Sequence, residues 1–500
     1  MPAVPDPSDH SRPRGALSLS QVQRTAVAEL LRIAPVADEM ARLFTAAGHD
    51  LHLVGGSVRD ALLGRLGHDL DFTTSARPDQ IEQLLRRLTR TVWDVGRAFG
   101  TIGAKVPRGD GPDWVIEVTT YRADSYRSDS RKPEVAFGDS LAGDLVRRDF
   151  TVNAMAITMA DRSFVDPYRG LADLAAGVLR TPAAPEISFS DDPLRMMRAA
   201  RFTAQLSTPE LHFAPDPAAV AAMVDMAERI DIISAERVRD ELSKLLLTPA
   251  PRPGLNLLVE TGLAERILPE LPAMRLERDE HHRHKDVYEH SLTVLDQAIE
   301  LEQRRGHEPD LVNRLAALLH DIGKPPTRKF EAGGKVSFHH HDVVGAKMAR
   351  KRLKALRFSS DEVDQVAKLV ELHLRFHGYG EGQWTDSAVR RYVRDAGDQL
   401  ERLHMLTRAD CTTRNQRKAN RLRRAYDDLE QRIDELAEQE ELDAMRPDLN
   451  GDQIMAILGI EPGREVGQAY KHLLELRMEH GPLGAERAEA ELRAWWAARS

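Results

Sequence analysis

The chain has 500 residues, 42% apolar and 30% charged, a balance that suits a folded protein of about two to four domains and excludes a single small core. One cysteine, Cys411, excludes an internal disulfide framework, and no run approaches the ~20 apolar residues that a membrane-spanning helix needs. The net charge of −9 excludes a uniformly basic surface but not a local basic patch.

Residues 1–24, rich in Pro, Ser, Asp and Arg, are predicted to be disordered, and Pro2, Pro5, Asp6, Pro7 and Asp9 leave no apolar core for a secretory signal. With the single cysteine, this predicts a cytoplasmic protein. Between 25 and 165, short apolar runs read as strands at Leu51–Val54, Leu70–Phe72, Thr101–Val106, Trp114–Thr119 and Met155–Met159. After about residue 185 the periodicity is helical throughout, with Pro/Gly breaks at 249–254, 323–326 and 447–463. The expected fold is an α/β head with a mixed sheet (25–180), then an all-α neck (181–250), body (251–425) and tail (426–500).

In the head, Leu53-Val-Gly-Gly-Ser-Val-Arg-Asp60 reads as strand, glycine turn and helix. Gly55 and Gly56 there would let backbone amides approach phosphate oxygens at a helix N-terminus, with Arg59 adding positive charge. A plain tight turn would look the same. The sequel, His68-Asp-Leu-Asp-Phe72, tips the balance: Asp69 and Asp71 stand two apart in a strand and share a face. Like charges so placed call for a cation, and oxygen-only ligands suit Mg²⁺ shared with substrate phosphates. Glu117, in mid-strand, supplies a third carboxylate. Three such groups can hold the metals that activate a hydroxyl and stabilise a leaving pyrophosphate.

The run Gly55–Asp60 followed by Asp69-Leu-Asp71 resembles the signature of the polymerase-β-type nucleotidyltransferases of the class II CCA-adding and bacterial poly(A) polymerase family. Leu145-Val-Arg-Arg-Asp-Phe-Thr-Val-Asn-Ala154 is similar to that family's next motif, which implies that Arg148, Asp149 and Asn153 handle the ribose of the nucleotide. Asp166–Leu174 resembles the hinge between head and neck, and Ser234–Glu241 resembles the motif that braces the neck.

Asp191-Asp192-Pro-Leu-Arg195 opens a helix with Asp192 near the N-cap and Pro193 at the first helical position. Asp192, Arg195, Arg198 and Arg201 then recur every third residue as one slanted row. A carboxylate that accepts from an exocyclic amino group, beside a guanidinium that donates to a ring nitrogen, matches the shared edge of cytosine and adenine. Uracil and guanine would leave both groups mismatched. The alternative is a salt-bridged surface helix. The row also matches the family's base-selecting motif, with Arg198 and Arg201 facing the triphosphate or bracing the pair.

Further on, His320 with the adjacent Asp321 at a helix end could bind one metal together, with His290, His341, His373 and Asp410 completing the shell. It resembles the HD phosphohydrolase superfamily, which implies a second divalent ion that activates water. His339 and His340 compete with His341 as ligands, and His341 is preferred because His340-His341-Asp342 resembles the superfamily's Gly-His-Glu element. His281, His282, His284 and Lys285 read as solvated charge. The basic run Arg408, Arg414, Arg417, Lys418, Arg421, Arg423 and Arg424 is either a solvated helix face or a track for RNA phosphates. Arg446–Gly451, with Pro462, Gly463 and Gly467, resembles the tRNA-binding tail of CCA-adding enzymes; Trp495 and Trp496 are expected to pack.

The resemblance therefore implies template-independent addition of CCA to the 3′ end of tRNA from CTP and ATP, with release of pyrophosphate. A bacterial poly(A) polymerase shares every head motif, although such enzymes usually carry a long basic C-terminal extension and this sequence ends in acidic and mixed helices. Enzymes that add only CC or only A, an HD phosphohydrolase with a vestigial head, and a non-catalytic RNA-binding module are the other readings. The intact Asp69, Asp71, Arg148 and Arg195 argue against the last two.

Overall fold

The computed structural model describes residues 25, 35–65, 67–109, 111–122, 137–138, 140–275, 286–331, 335–378, 384–412, 416–440 and 446–499. The expected disorder of 1–24, His281–Lys285 and Arg414 lie outside them. The chain divides into two compact units, Met1–Ser234 with Pro253–Arg266, and Ala235–Arg252 with Ile267–Ser500. No described helix is long and apolar enough to cross a membrane.

The first unit is built on a seven-stranded mixed sheet. Its strands are β1 (Leu51–Val54), β2 (Asp69–Thr74), β3 (Thr91–Trp93), β4 (Thr101–Val106), β5 (Trp114–Thr120), β6 (Ala156–Thr158) and β7 (Phe164–Val165), in the order β3-β4-β5-β2-β1-β6-β7. Only β2 and β5 pair in parallel. In β5, Trp114, Ile116, Val118 and Thr120 are buried while Glu117 is exposed, the period-two alternation of a one-sided strand. The predicted strands are all present; β3 and β7, at the two edges, have too few residues to carry a periodic signal.

Helix α1 (Gly56–Leu62) leaves β1 directly. The base-row helix, α2 (Leu194–Leu206), begins two residues later than Asp192, which instead ends the preceding helix Pro185–Asp191. Pro193, expected at the first helical position, is itself the N-cap, and Asp192 stands one residue before it, its Oδ1 accepting from the Leu194 N–H at 3.2 Å. Nearly all of α2 is buried, including Arg195 and Arg201, so it is not a solvated surface helix.

The second unit is mostly helical. α3 (Val287–Arg304), α4 (Leu311–Leu319), α5 (His341–Ala355), α6 (Ser360–Leu372) and α7 (Leu400–Asp410) surround the His-Asp set. The unbroken helical reading after residue 185 needs correction. Val178–Leu179 pairs with Ala214–Pro215, and Lys329–Glu331 forms an antiparallel hairpin with Lys335–Ser337. The last three helices, Gly451–Leu458, Arg464–His480 and Ala485–Ala497, share a small core of Leu449, Ile454, Ala469, Leu473, Ala488 and Leu492.

Candidate functional site

The β1–α1 turn is possible because Gly55 adopts φ 69°, and a Cβ there would sit 2.8 Å from Arg148 Nη1. Ser57, on the first turn of α1, fastens the carboxylate strand to the helix: its Oγ accepts from Asp71 N at 2.9 Å and donates to the Asp69 carbonyl at 3.3 Å. Parallel pairing places Asp71 beside Glu117, so Asp69, Asp71 and Glu117 share one face.

Their environments differ. Asp69 is largely exposed and lies 3.8 Å from His68, whereas burial pushes the Asp71 carboxyl up to about 6, opposed by Arg148 and reinforced by Glu117 and Asp69. A carboxylate so strained favours a bound cation. The three are nonetheless not drawn together; among the described residues, both groups of three or more potential ligand atoms within 4.8 Å of one another lie in the second unit.

A cavity of about 440 Å³ opens beside Asp71 and the glycine turn, a volume suited to a small ligand. It is lined by Gly55, Gly56, Arg59, Arg148, Asp149, Asn153, Asp192, Arg195, Arg198 and Arg201, all named from the sequence; Asp69 and Glu117 lie outside the lining. Sequence reading missed Arg122, Asp144, Arg147 and Phe202, which also line it. Arg147 stood inside a recognised motif, and Asp144 is one helical turn before Arg148, but nothing local marks Arg122. Seven arginines face four aspartates there, so the cavity is cationic in a chain of net charge −9. An anionic ligand is the natural occupant.

Hydrogen bonds bind these residues into one network. Arg59 is buried, with Nε and Nη2 each 2.8 Å from Asp60 and Nη1 donating to Asn153 Oδ1 at 2.7 Å. These bonds hold the Arg59 guanidinium fixed at the lining of the cavity. Asn153 donates in turn to Asp149 Oδ1 at 2.9 Å, and Arg198 reaches Asp149 Oδ2 at 3.0 Å. Burial alone would raise the Asp149 carboxyl, but Arg198, Asn153, Arg195 and the Phe150 amide hold it below its ordinary value. Arg148 pairs with Asp144 at 3.0 Å. Arg195 donates to Ser188 Oγ at 2.8 Å and to the Arg147 carbonyl, and Arg201 donates to Gln205 at 2.6 Å with its guanidinium over the Phe202 ring. The row is held by fixed partners, as buried arginines require.

In the second unit, the His290, His320, Asp321, His341, His373 and Asp410 side chains converge. His290 Nε2 is 2.9 Å from Asp410 and 3.5 Å from Asp321 Oδ2, His320 Nε2 is 3.2 Å from Asp321 Oδ2, and His341 Nε2 is 3.3 Å from Asp321 Oδ1. His373 Nε2 lies 3.9 Å from Asp321 Oδ1. The Nδ1 atoms of His320, His341 and His373 donate to the carbonyls of Ala317, Phe338 and Val370, at 2.8, 2.7 and 2.6 Å. That fixes the tautomer and turns each Nε2 lone pair inward, the arrangement of metal-ligating histidines. Asp321 Oδ1, His341 Nε2 and His373 Nε2 are buried without a hydrogen-bond partner, which a cation would resolve. His339 is exposed and pairs with Glu331, and His340 has φ 62° at the N-cap of α5, so His341 alone of the three joins the set.

Burial and His320 push His373 down to about 4. Against burial, Asp321 raises His320, while His320, His341 and Lys324 hold Asp321 well below the usual carboxylate range. His290 and His320 likewise hold Asp410 low against burial.

Of the basic run, Arg408 is a brace to Asp427 and Glu430, whereas Arg417, Arg421 and Arg424 are exposed on the helix Gln416–Glu440. In the tail, Asn450 caps a helix and Asp448 accepts from Arg477, and Trp495 stacks on His472.

Fold and sites define a nucleotidyltransferase head in one chain with an HD-type helical domain. Residues 51–180 match the Poly A polymerase head domain, 212–274 the probable RNA and SrmB-binding site of polymerase A, and 287–415 the HD domain. The A-adding tRNA nucleotidyltransferase of Deinococcus radiodurans is 34% identical over 455 residues, 89% of this chain and 95% of that protein. The chain belongs to the tRNA nucleotidyltransferase family. The CCA-adding enzyme of Levilactobacillus brevis is 44% identical over 218 residues, 43% of this chain, and the match spans about half (51%) of that enzyme. In fold, the chain is similar to the Bacillus stearothermophilus CCA-adding enzyme in complex with CTP (TM-score 0.60, 24% identity, 93% of this chain and 98% of that one). It is also similar to the Thermotoga maritima CCA-adding enzyme complexed with tRNA (TM-score 0.58, 17% identity, 95% and 98%).

Proposed function

We propose that the protein adds C and A residues, without a template, to the 3′ end of tRNA, using CTP and ATP. The observation that carries this reading is the cationic cavity beside Asp71, which gathers the glycine turn, the Arg148–Asn153 motif and the Asp192–Arg201 row in one place. The 3′-hydroxyl would form a bond to the α-phosphorus as the bond to the β-phosphate oxygen breaks, releasing pyrophosphate and the hydroxyl proton. Asp69, Asp71 and Glu117 would hold Mg²⁺, which supplies charge neutralisation at the reacting phosphate and hydroxyl. Arg198 and Arg201 would meet the triphosphate, and Arg148, Asp149 and Asn153 the ribose. Asp192 and Arg195 would read the base edge, because Ser188 and the Arg147 carbonyl already fix the guanidinium. The exposed Arg417, Arg421 and Arg424, with the tail from 426 to 500, would contact tRNA backbone.

Asp69→Ala or Asp71→Ala is expected to abolish addition with unchanged circular dichroism; near wild-type addition by either would reject the site. Arg195→Ala is expected to lower CTP and ATP use and admit UTP or GTP. Full discrimination by that variant would remove the base-reading role.

A second reading concerns the same chemistry: the relative matched along 89% of the chain is named A-adding, which favours a specialist that adds the terminal A alone. Separately, we infer that the His-Asp set holds a divalent ion and hydrolyses phosphoesters, from its inward-facing Nε2 atoms and three orphaned buried ligand atoms. There water would bond to phosphorus while one ribose oxygen of a 2′,3′-cyclic phosphate leaves and takes up a proton.

A further inference from the structure

The hairpin of Lys329–Glu331 and Lys335–Ser337 rises from the rim of the His-Asp set, and its anchoring is specific at both feet. Before it, Lys324 Nζ lies 2.5 Å from Asp321 Oδ2 on the short helix Lys324–Thr327. After it, the Phe338 carbonyl accepts from His341 Nδ1 at 2.7 Å. Between these points, all three residues of the first strand are exposed, and Phe330 is 72% exposed. Single exposed apolar side chains are ordinary, but a bare two-stranded ribbon is marginal in water, so holding an aromatic ring out on one asks for a use.

The surroundings of that ring are basic. The Arg328 guanidinium lies 5.2 Å from the Phe330 centroid, and Arg328 and Lys329 are both exposed. The acidic neighbour Glu331 is matched by His339 at 3.4 Å. An exposed aromatic ring beside the exposed Arg328 and Lys329 is the composition that binds single-stranded nucleic acid: bases stack on the ring and phosphates meet the cations. Phe330 pairs with Val336, two residues before Phe338. At about 3.3 Å per residue and ~5 Å across the ribbon, the platform stands on the order of 10–15 Å from the metal-ligand set, within reach of a few nucleotides.

We propose that this hairpin is a docking platform for the single-stranded 3′ end of an RNA, stacking a base on Phe330 and placing the terminal phosphate at the His-Asp set. It rests on the phosphohydrolase reading of that set for its consequence, but not for the binding itself.

The test uses the full chain and a tRNA that ends in 4-thiouridine with a 2′,3′-cyclic phosphate, photocrosslinked and mapped by peptide mass. Crosslinks are expected within 328–331. They should fall about tenfold in Phe330→Ala, the effect of losing one stacked base, and persist in Phe330→Trp. Arg328→Glu should weaken them with a smaller salt dependence, while CTP and ATP addition stays at wild-type rate in all three variants. Crosslinks found only outside 324–343, or undiminished in Phe330→Ala, overturn the platform, and a hairpin that instead captures a protein would give that result. Crosslinks at 328–331 without hydrolysis under any divalent metal uphold the platform and reject the phosphohydrolase reading; hydrolysis with no crosslink there does the reverse.

Discussion

Single residues in the cavity are useful through their neighbours. Asp149 accepts from Asn153, Arg198 and the Phe150 amide, and it is buried. Its carboxyl is held below the ordinary value, so the charged form is favoured in the folded state. A depressed carboxylate contributes stability that is present above the unfolded pKa and is lost as pH falls through the folded one. Wild type should therefore lose stability below about pH 4 more steeply than Asp149→Asn. At neutral pH that variant should be about 1–3 kcal/mol less stable, since a charge-assisted bond to Arg198 is gone. Thermal melts from pH 3 to 7 check this, and parallel acid limbs for the two proteins would refute it.

At the scale of elements, close backbone approach sets the second site. A Cβ on Gly323 would lie 2.0 Å from the His341 carbonyl oxygen and 2.7 Å from Gly345 N, so the turn after His320-Asp321 packs directly on the first turn of α5. Gly323→Ala forces this turn and the first turn of α5 apart, which is expected to disturb the approach of His341 to Asp321. The expected outcome is at least tenfold lower metal retention after dialysis, with nucleotide addition unchanged; full metal retention would mean that the turn can yield. From the sequence, β2 and β5 were legible because Leu70, Phe72 and Ile116, Val118 alternate with carboxylates. The short pairings at Thr91–Trp93 and Lys329–Ser337 were not, because two or three residues carry no period and their partners are set by the tertiary fold. The residues of the Asp192–Arg201 row were readable, yet the burial of Arg195 and Arg201 was not: a helix with an arginine at every third position resembles a surface helix until its neighbours are known. Arg122 was invisible for the same reason, since the end of a strand brings it to the cavity rather than a local motif.

Across the whole molecule, each of the two compact units contains its own candidate site, a cationic cavity beside carboxylates in one and inward-turned histidines in the other. Overall acidity is no obstacle to binding an anionic substrate when the positive charge is concentrated in a cavity. The most direct test of the central claim is a gel assay with purified protein, Mg²⁺ and each nucleoside triphosphate separately, on tRNA that lacks CCA and on tRNA that ends in CC. The account predicts two additions from CTP on the first substrate, one from ATP on the second, and none from UTP or GTP. Addition of A to the CC-ended tRNA with no use of CTP would establish the A-adding reading instead. Long A tails, indifference to the base, or no addition to either tRNA would contradict the account.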